Sequence, residues 1–228
     1  MKKIIFVVFL LLSQHGVAES LQVDLNSIES EWASIYYGVP KAKQKAAYEK
    51  LLVKTENLAH RYPKDAGAMY WQAVIKASYA DHQDAVSALD AIFEVRDLLK
   101  EAIKINPKTM NGSAYVVLGT LYYMAPAWPI AFGDDDEADK LLKTALEISP
   151  DGIDSNYFYG EFLVNNNKLK EAESYFEKAS KAPIRREQVY GDTRLQEEAK
   201  AALQNTRLRK VSGAKSLFLS LFSSASAE

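Results

Sequence analysis

Apolar residues recur at spacings of three and four along most of the chain, the interval that gathers them on one face of an α-helix. Leu21, Leu25, Ile28, Trp32 and Ile35 form the first such face. Tyr48, Leu51, Leu52, Thr55, Leu58 and Ala59 form a second, beyond the Gly38-Val39-Pro40 break. Two antiparallel helices are therefore expected to open the structure. No stretch shows the period-two alternation of β-branched residues that a half-buried strand needs, so no sheet is expected. Pro63, Pro107, Pro150 and Pro183 each close an apolar helical segment, at spacings of 44, 43 and 33 residues. A period near 34 with insertions signals a stacked helical repeat.

Between the prolines, small and large residues hold fixed places. Tyr115, Leu118, Gly119 and Tyr122 are followed by Ala138, Leu142, Ala145, Leu146 and Pro150. Tyr159, Gly160 and Leu163 are followed, without insertion, by Ala172, Phe176, Ala179 and Pro183. A looser copy reads Tyr70, Trp71, Ala73 and Tyr79, then Val95, Leu99, Ala102, Ile103 and Pro107. These motifs resemble the tetratricopeptide repeat over roughly residues 64 to 183, and the two N-terminal helices look like a degenerate further unit. The resemblance implies an all-α fold, a TPR-like α-solenoid of stacked antiparallel helix hairpins with a capping C-terminal helix. Ala73, Gly119 and Gly160 would let the paired helix approach closely, while Leu142 and Phe176 fill the gap between units. Each hairpin leaves an apolar face that only its neighbour can cover. The segment from Arg185 to Arg207 is expected to close the stack, with Val189, Leu195, Ala199, Ala202 and Leu203 turned inward.

The chain ends carry different signals. Lys2 and Lys3 precede an apolar run from Ile4 to Leu12 that ends in Gly16-Val17-Ala18. This is the pattern of a secretory signal peptide, and the run is short of the roughly 20 residues a membrane span needs. Residues 1–18 are read as that peptide, with cleavage after Ala18, residues 19–207 as a single helical domain, and residues 208–228 as a flexible tail. The tail is rich in Ser and Ala around Leu217, Phe218, Leu219, Leu221 and Phe222, and is expected to be disordered or to make a short amphipathic contact with a membrane or partner. The chain has no cysteine, which excludes a lipoprotein anchor, disulfides and thiolate chemistry. A periplasmic location is the expectation. Losing Lys2 and Lys3 leaves 26 basic against 30 acidic residues, a net charge of −4 that argues against nucleic acid as partner.

Nothing in the sequence announces chemistry. There is no Gly-x-Ser-x-Gly elbow and no phosphate-cradling glycine loop. His60 and His82, expected to be exposed near helix ends, lie outside any His-Glu-x-x-His arrangement. No catalytic, cofactor or metal site is expected, and binding is the function that remains. In the repeat family the first helix of each unit lines a concave groove. The resemblance thereby implies Val116, Thr120, Tyr123, Tyr157, Glu161 and Val164 as groove positions, with Tyr70 and Val74 from the looser unit. These places lack the Lys and Asn with which some members clamp a C-terminal carboxylate, so an acidic C-terminal peptide is a poor ligand.

The long insertion from Met124 to Asp136 carries Trp128, Ile130 and Phe132. It reads either as the lid or wall of an apolar ligand cleft, or as core that plugs the groove. Asp134, Asp135, Asp136 and Glu137 fit a helix N-terminus better than a calcium loop. The expected function is a scaffold or adaptor in the cell envelope, taking a protein or peptide partner or an apolar small ligand. A looser likeness connects the chain with T-component proteins of tripartite ATP-independent periplasmic (TRAP) transporters, which would make a periplasmic solute-binding protein the partner.

Overall fold

The computed structural model describes residues 2–208, and the side chains of residues 20–208. The expectations for the tail from residue 209 onward, and for the side chains of the leader, lie outside the described residues. Among the described residues nine α-helices follow one another: α1 (Lys2–Gly38), α2 (Lys41–Arg61), α3 (Ala66–Ala80), α4 (Ala85–Ile105), α5 (Ser113–Met124), α6 (Asp135–Ile148), α7 (Ile153–Asn165), α8 (Leu169–Lys181) and α9 (Val189–Arg207). Among the described residues no strand forms, and one isolated bridge joins Ala127 to Gly133. No described helix is long and apolar enough to cross a membrane.

The helices pair as antiparallel hairpins, α1 with α2, α3 with α4, α5 with α6 and α7 with α8, and α9 closes the last. Each of the four prolines stands two residues past a helix end, at Arg61, Ile105, Ile148 and Lys181, where a missing N–H costs nothing. Aspartates open three of the helices. Asp65 accepts from the Ala68 N–H, Asp84 from those of Val86 and Ser87, and Asp134 from those of Asp136 and Glu137, which assigns the acidic run at 134 to capping. The uneven proline spacing has two causes. The outer helix α4 has 21 residues where α6 has 14 and α8 has 13, and the insertion lengthens the connection between α5 and α6.

The small residues do what their spacing predicts. A Cβ on Gly119 would stand 2.7 Å from Leu142 Cγ, and one on Gly160 would stand 2.7 Å from Phe176 Cε1, so the hairpins close on these side chains. Leu142 and Phe176 are fully buried in consequence. Gly160→Ala should lower stability by up to about 2 kcal/mol, because crowding the Phe176 ring costs about 1–3 kcal/mol and replacing a mid-helix glycine returns about 1 kcal/mol. Urea unfolding checks this, and a higher midpoint would disprove the close approach.

The stack is curved enough that its ends meet. The inner helices are α1, α3, α5, α7 and α9, and α1 touches α9. Ala33 Cβ lies 3.8 Å from where a Cβ would sit on Gly191, and the Tyr37 and Tyr190 rings meet edge to face at 6.2 Å. The Arg194 guanidinium lies over the Tyr37 ring at 5.7 Å. The inner face is therefore closed around an axis instead of lying open as a trough. Val189, expected to face inward on α9, is exposed, whereas Ala199 is buried.

Candidate functional site

The inner helices bring like ends together, and the two ends differ in chemistry. At their N-terminal ends a charged network is fully paired. The Arg185 guanidinium donates to Asp154 Oδ1 at 2.9 Å and to Asp192 Oδ1 at 2.6 Å, and the Arg185 backbone N–H reaches Asp192 Oδ2 at 2.7 Å. Ser113 donates its hydroxyl to Asp154 at 2.8 Å. Asp154 sits in the first turn of α7, where the helix dipole favours a carboxylate. Glu29, from the apolar face of α1, lies beside Arg185, Gln188, Asp192 and Asp154, and burial pushes its carboxyl up to about 7. A cleft of about 320 Å³ opens beside Asp154 and Arg185, but its charges already satisfy one another.

The turn that delivers Ser113 is built from three consecutive left-handed residues, Met110 (φ 48°), Asn111 (φ 54°) and Gly112 (φ 86°). Such a conformation costs a non-glycine residue about 1–2 kcal/mol. It aims the start of α5 at Asp154.

At the C-terminal ends of the inner helices the face opens. Tyr36 of α1 is 47% exposed, although its neighbours include Glu198 of α9 and Asp81, the residue that follows α3. Tyr157 and Glu161 of α7 are half-buried, and both sense Glu198 across the opening. Burial first, and then the Glu198 charge, hold the Glu161 carboxyl up to about 7. Tyr123 of α5 is only 2% exposed and lies near Glu161, with burial raising its phenol well above the ordinary range. Thr120, one turn earlier on the same helix, has a buried hydroxyl oxygen with no hydrogen-bond partner among the described residues. Trp32 and Tyr36 stack at 5.3 Å and form one wall with Tyr37.

No protein-family profile matches the chain, and no curated protein does. Solved structures do. The thermophilic TPR protein TTC0263 of Thermus thermophilus superposes with a TM-score of 0.53 at 21% identity, over 71% of this chain and 78% of that one. The chain has the tetratricopeptide-repeat fold. A double mutant of MamA RS-1 aligns at 12% identity over 88% of this chain and 92% of that one, with a TM-score of 0.46. YrrB, described as a TPR protein with an unusual peptide-binding site, aligns at 19% identity over 76% and 75%, with a TM-score of 0.41. The likeness to TRAP-transporter T components finds no support among them.

Within this TPR fold the expected groove positions divide into three sets. Tyr70, Val74, Val116 and Tyr123 are buried, since the closure between α1 and α9 turns this part of the inner face into interior. Thr120, Tyr157, Glu161 and Val164 are half-buried, and of the expected set the structure brings Tyr123, Tyr157 and Glu161 together at the opening. Trp128 and Phe132 belong elsewhere. The insertion folds onto α4, the outer helix of the preceding hairpin, where Phe132 packs 5.1 Å from the Phe93 ring and 5.2 Å from Tyr122, under the Arg96 guanidinium at 4.7 Å. Trp128 points away from this contact and is 85% exposed. The insertion is thus neither lid nor plug of the inner face. His82 is half-buried against Tyr48 rather than exposed.

Several residues at this site had no place in the sequence expectation: Glu29, Tyr36, Asp154, Arg185, Asp192 and Glu198. A signal for two of them existed. Glu29 stands four residues after Leu25 on the apolar face of α1, and Asp192 stands three before Leu195 and seven before Ala199 on that of α9. A charge on an otherwise apolar stripe needs a buried partner.

Proposed function

We propose that this repeat protein is a non-enzymatic scaffold that works beyond the inner membrane and takes a protein or peptide partner at the open end of its inner helices. One observation carries the reading. Among the described residues the inner face is buried along Tyr70, Val74 and Val116, and it presents accessible aromatic side chains around Tyr36, Tyr157 and Glu161. Tyrosines that are half-buried before binding supply large contact area at low entropic cost, which is how aromatic anchors come to dominate interfaces. The cleft at the opposite end, beside Asp154 and Arg185, offers charges that already pair with one another. The leader pattern of residues 1–18 supports export, and the absence of cysteine suits an oxidising compartment.

A photo-crosslinking amino acid placed at Tyr157 in the producing cell tests the site. The expected result is a discrete higher-mass adduct in the envelope fraction, absent when the same group replaces Glu56 on α2, with the mature chain beginning at Glu19. Equal adducts at both positions would remove the site assignment. A chain whose N-terminus is still Met1 would remove the export assignment.

A further inference from the structure

The open end of the inner helices has a charge character that narrows its partner to one chemical class, a deepening that rests on the binding role proposed for the same site. Glu161 of α7 and Glu198 of α9 lie close enough to repel one another and both act on Tyr157, and Asp81, after α3, lies near Tyr36 on its far side from them. Two cations lie near: Arg194 covers the Tyr37 ring, pairs with Glu197 at 2.9 Å and also attracts Glu198, whose burial outweighs it, and Lys41 lies toward Asp81 beside His82. Helices α1, α3, α5 and α7 all end here, and none has a basic residue in its last turn. Four C-terminal ends each place partial negative charge on their last carbonyls, and this adds to the carboxylates.

An independent observation concerns the hydroxyls. Tyr123 is almost wholly buried beside Glu161. The Thr120 hydroxyl oxygen is buried and has no hydrogen-bond partner among the described residues. A buried hydroxyl without a partner is costly, and the Thr120 oxygen can accept a hydrogen bond from an incoming donor. Tyr36 is exposed and the half-buried Tyr157 lies near it, and aromatic faces attract cations.

We propose that the space formed by Tyr36, Thr120, Tyr123, Tyr157, Glu161 and Glu198 receives a lysine or arginine side chain carried on an extended segment of a partner protein. The cation lies against the Tyr36 and Tyr157 rings. The carboxylates of Glu161 and Glu198 neutralise it, and the idle Thr120 hydroxyl accepts from one of its N–H groups. The pairing relieves the repulsion between Glu161 and Glu198, so binding and local stability increase together.

Three fluorescein-labelled nonapeptide series, alike in length and apolar content and carrying two Lys or Arg, two Gln or two Glu at the same places, are titrated by anisotropy against the full chain. The basic series should bind at least 10-fold more tightly than the Gln series at low salt, with the Glu series weakest. Glu161→Gln with Glu198→Gln should abolish the 10-fold preference, so that the basic and Gln series bind alike, while Tyr157→Ala weakens every series. Gln peptides that bind as well as basic ones and still lose affinity in Tyr157→Ala overturn the charge assignment and leave the scaffold reading intact. Failure of all three series overturns both. Full displacement of a basic peptide by micromolar spermidine shows that the site prefers a free cation, and overturns the segment assignment. Circular dichroism of the double variant guards against misfolding; if it fails to fold, Glu198→Gln alone should still reduce the preference at least 3-fold, and an unchanged preference there overturns the proposal.

Discussion

Arg185→Met is expected to cost about 3–5 kcal/mol of stability, because it leaves two carboxylates without their cation in a partly dry site. Asp192 is 2% exposed and accepts from both the Arg185 side chain and its backbone N–H, so it has no route to water without moving α9. Asp154 is better placed to survive, with Ser113 donating to it and the α7 dipole behind it. The loss should not spread evenly. Hydrogen exchange should accelerate in α9 and in the part of α1 from Glu29 to Gly38, where the two ends of the stack meet, and stay slow in α5 and α6. Restoring neutrality with Asp154→Asn and Asp192→Asn in the same chain should recover more than half of the loss, since amides keep most of the hydrogen bonds and remove the stranded charges. Urea unfolding of the single and combined variants measures the cycle. A loss under about 1 kcal/mol would place Arg185 among ordinary surface ion pairs and deny it the closing role.

That closure also marks where reading the sequence stops. The hairpins were legible because their rule is local: a glycine or alanine on one helix and a large apolar residue a fixed distance later, as in Gly160 with Phe176, state a contact inside one unit. Curvature is not local. It accumulates through small rotations between neighbouring hairpins, and no single spacing says whether four hairpins make an open arc or bring α1 onto α9. Counting family positions therefore identified residues on the inner face while giving the buried Tyr70 and the half-buried Tyr157 the same role. The insertion shows a different limit. Composition alone suggests burial for Trp128 and Phe132 alike, but the hollow between Phe93, Tyr122 and Arg96 is filled by Phe132, and Trp128 is left in solvent.

The same geometry makes stability fall as pH rises from about 5 to about 7.5, opposite to the trend of a protein held by ion-paired carboxylates. Glu29 is 6% exposed, and burial is the largest influence on it, outweighing the attraction of Arg185, so its carboxyl ionises near 7 in the folded chain against an ordinary 4.5. Between those values the native state keeps a proton that the unfolded chain has released, so each step up in pH favours unfolding. Across the full window this amounts to roughly 3 kcal/mol for Glu29. Glu161 contributes in the same direction, held up to about 7 by burial and by Glu198, and its access to water reduces its share to roughly 1–2 kcal/mol. His82 acts the other way near neutrality, because its burial lowers its pKa and the native state then holds fewer protons than the unfolded chain. Asp84 and Glu177 are depressed carboxylates whose influence falls at lower pH, outside this range. Thermal or urea unfolding at pH 5, 6 and 7.5 should show the decline, and Glu29→Gln should flatten well over half of it while raising stability at pH 7.5, since the amide can keep the interaction with Gln188 without a charge to bury. Stability that climbs steadily from pH 5 to 7.5 would mean that Glu29 is ionised and paired with Arg185 throughout, and the meeting of α1 with α9 would then rest on an ion pair rather than on a carboxyl kept neutral by its surroundings.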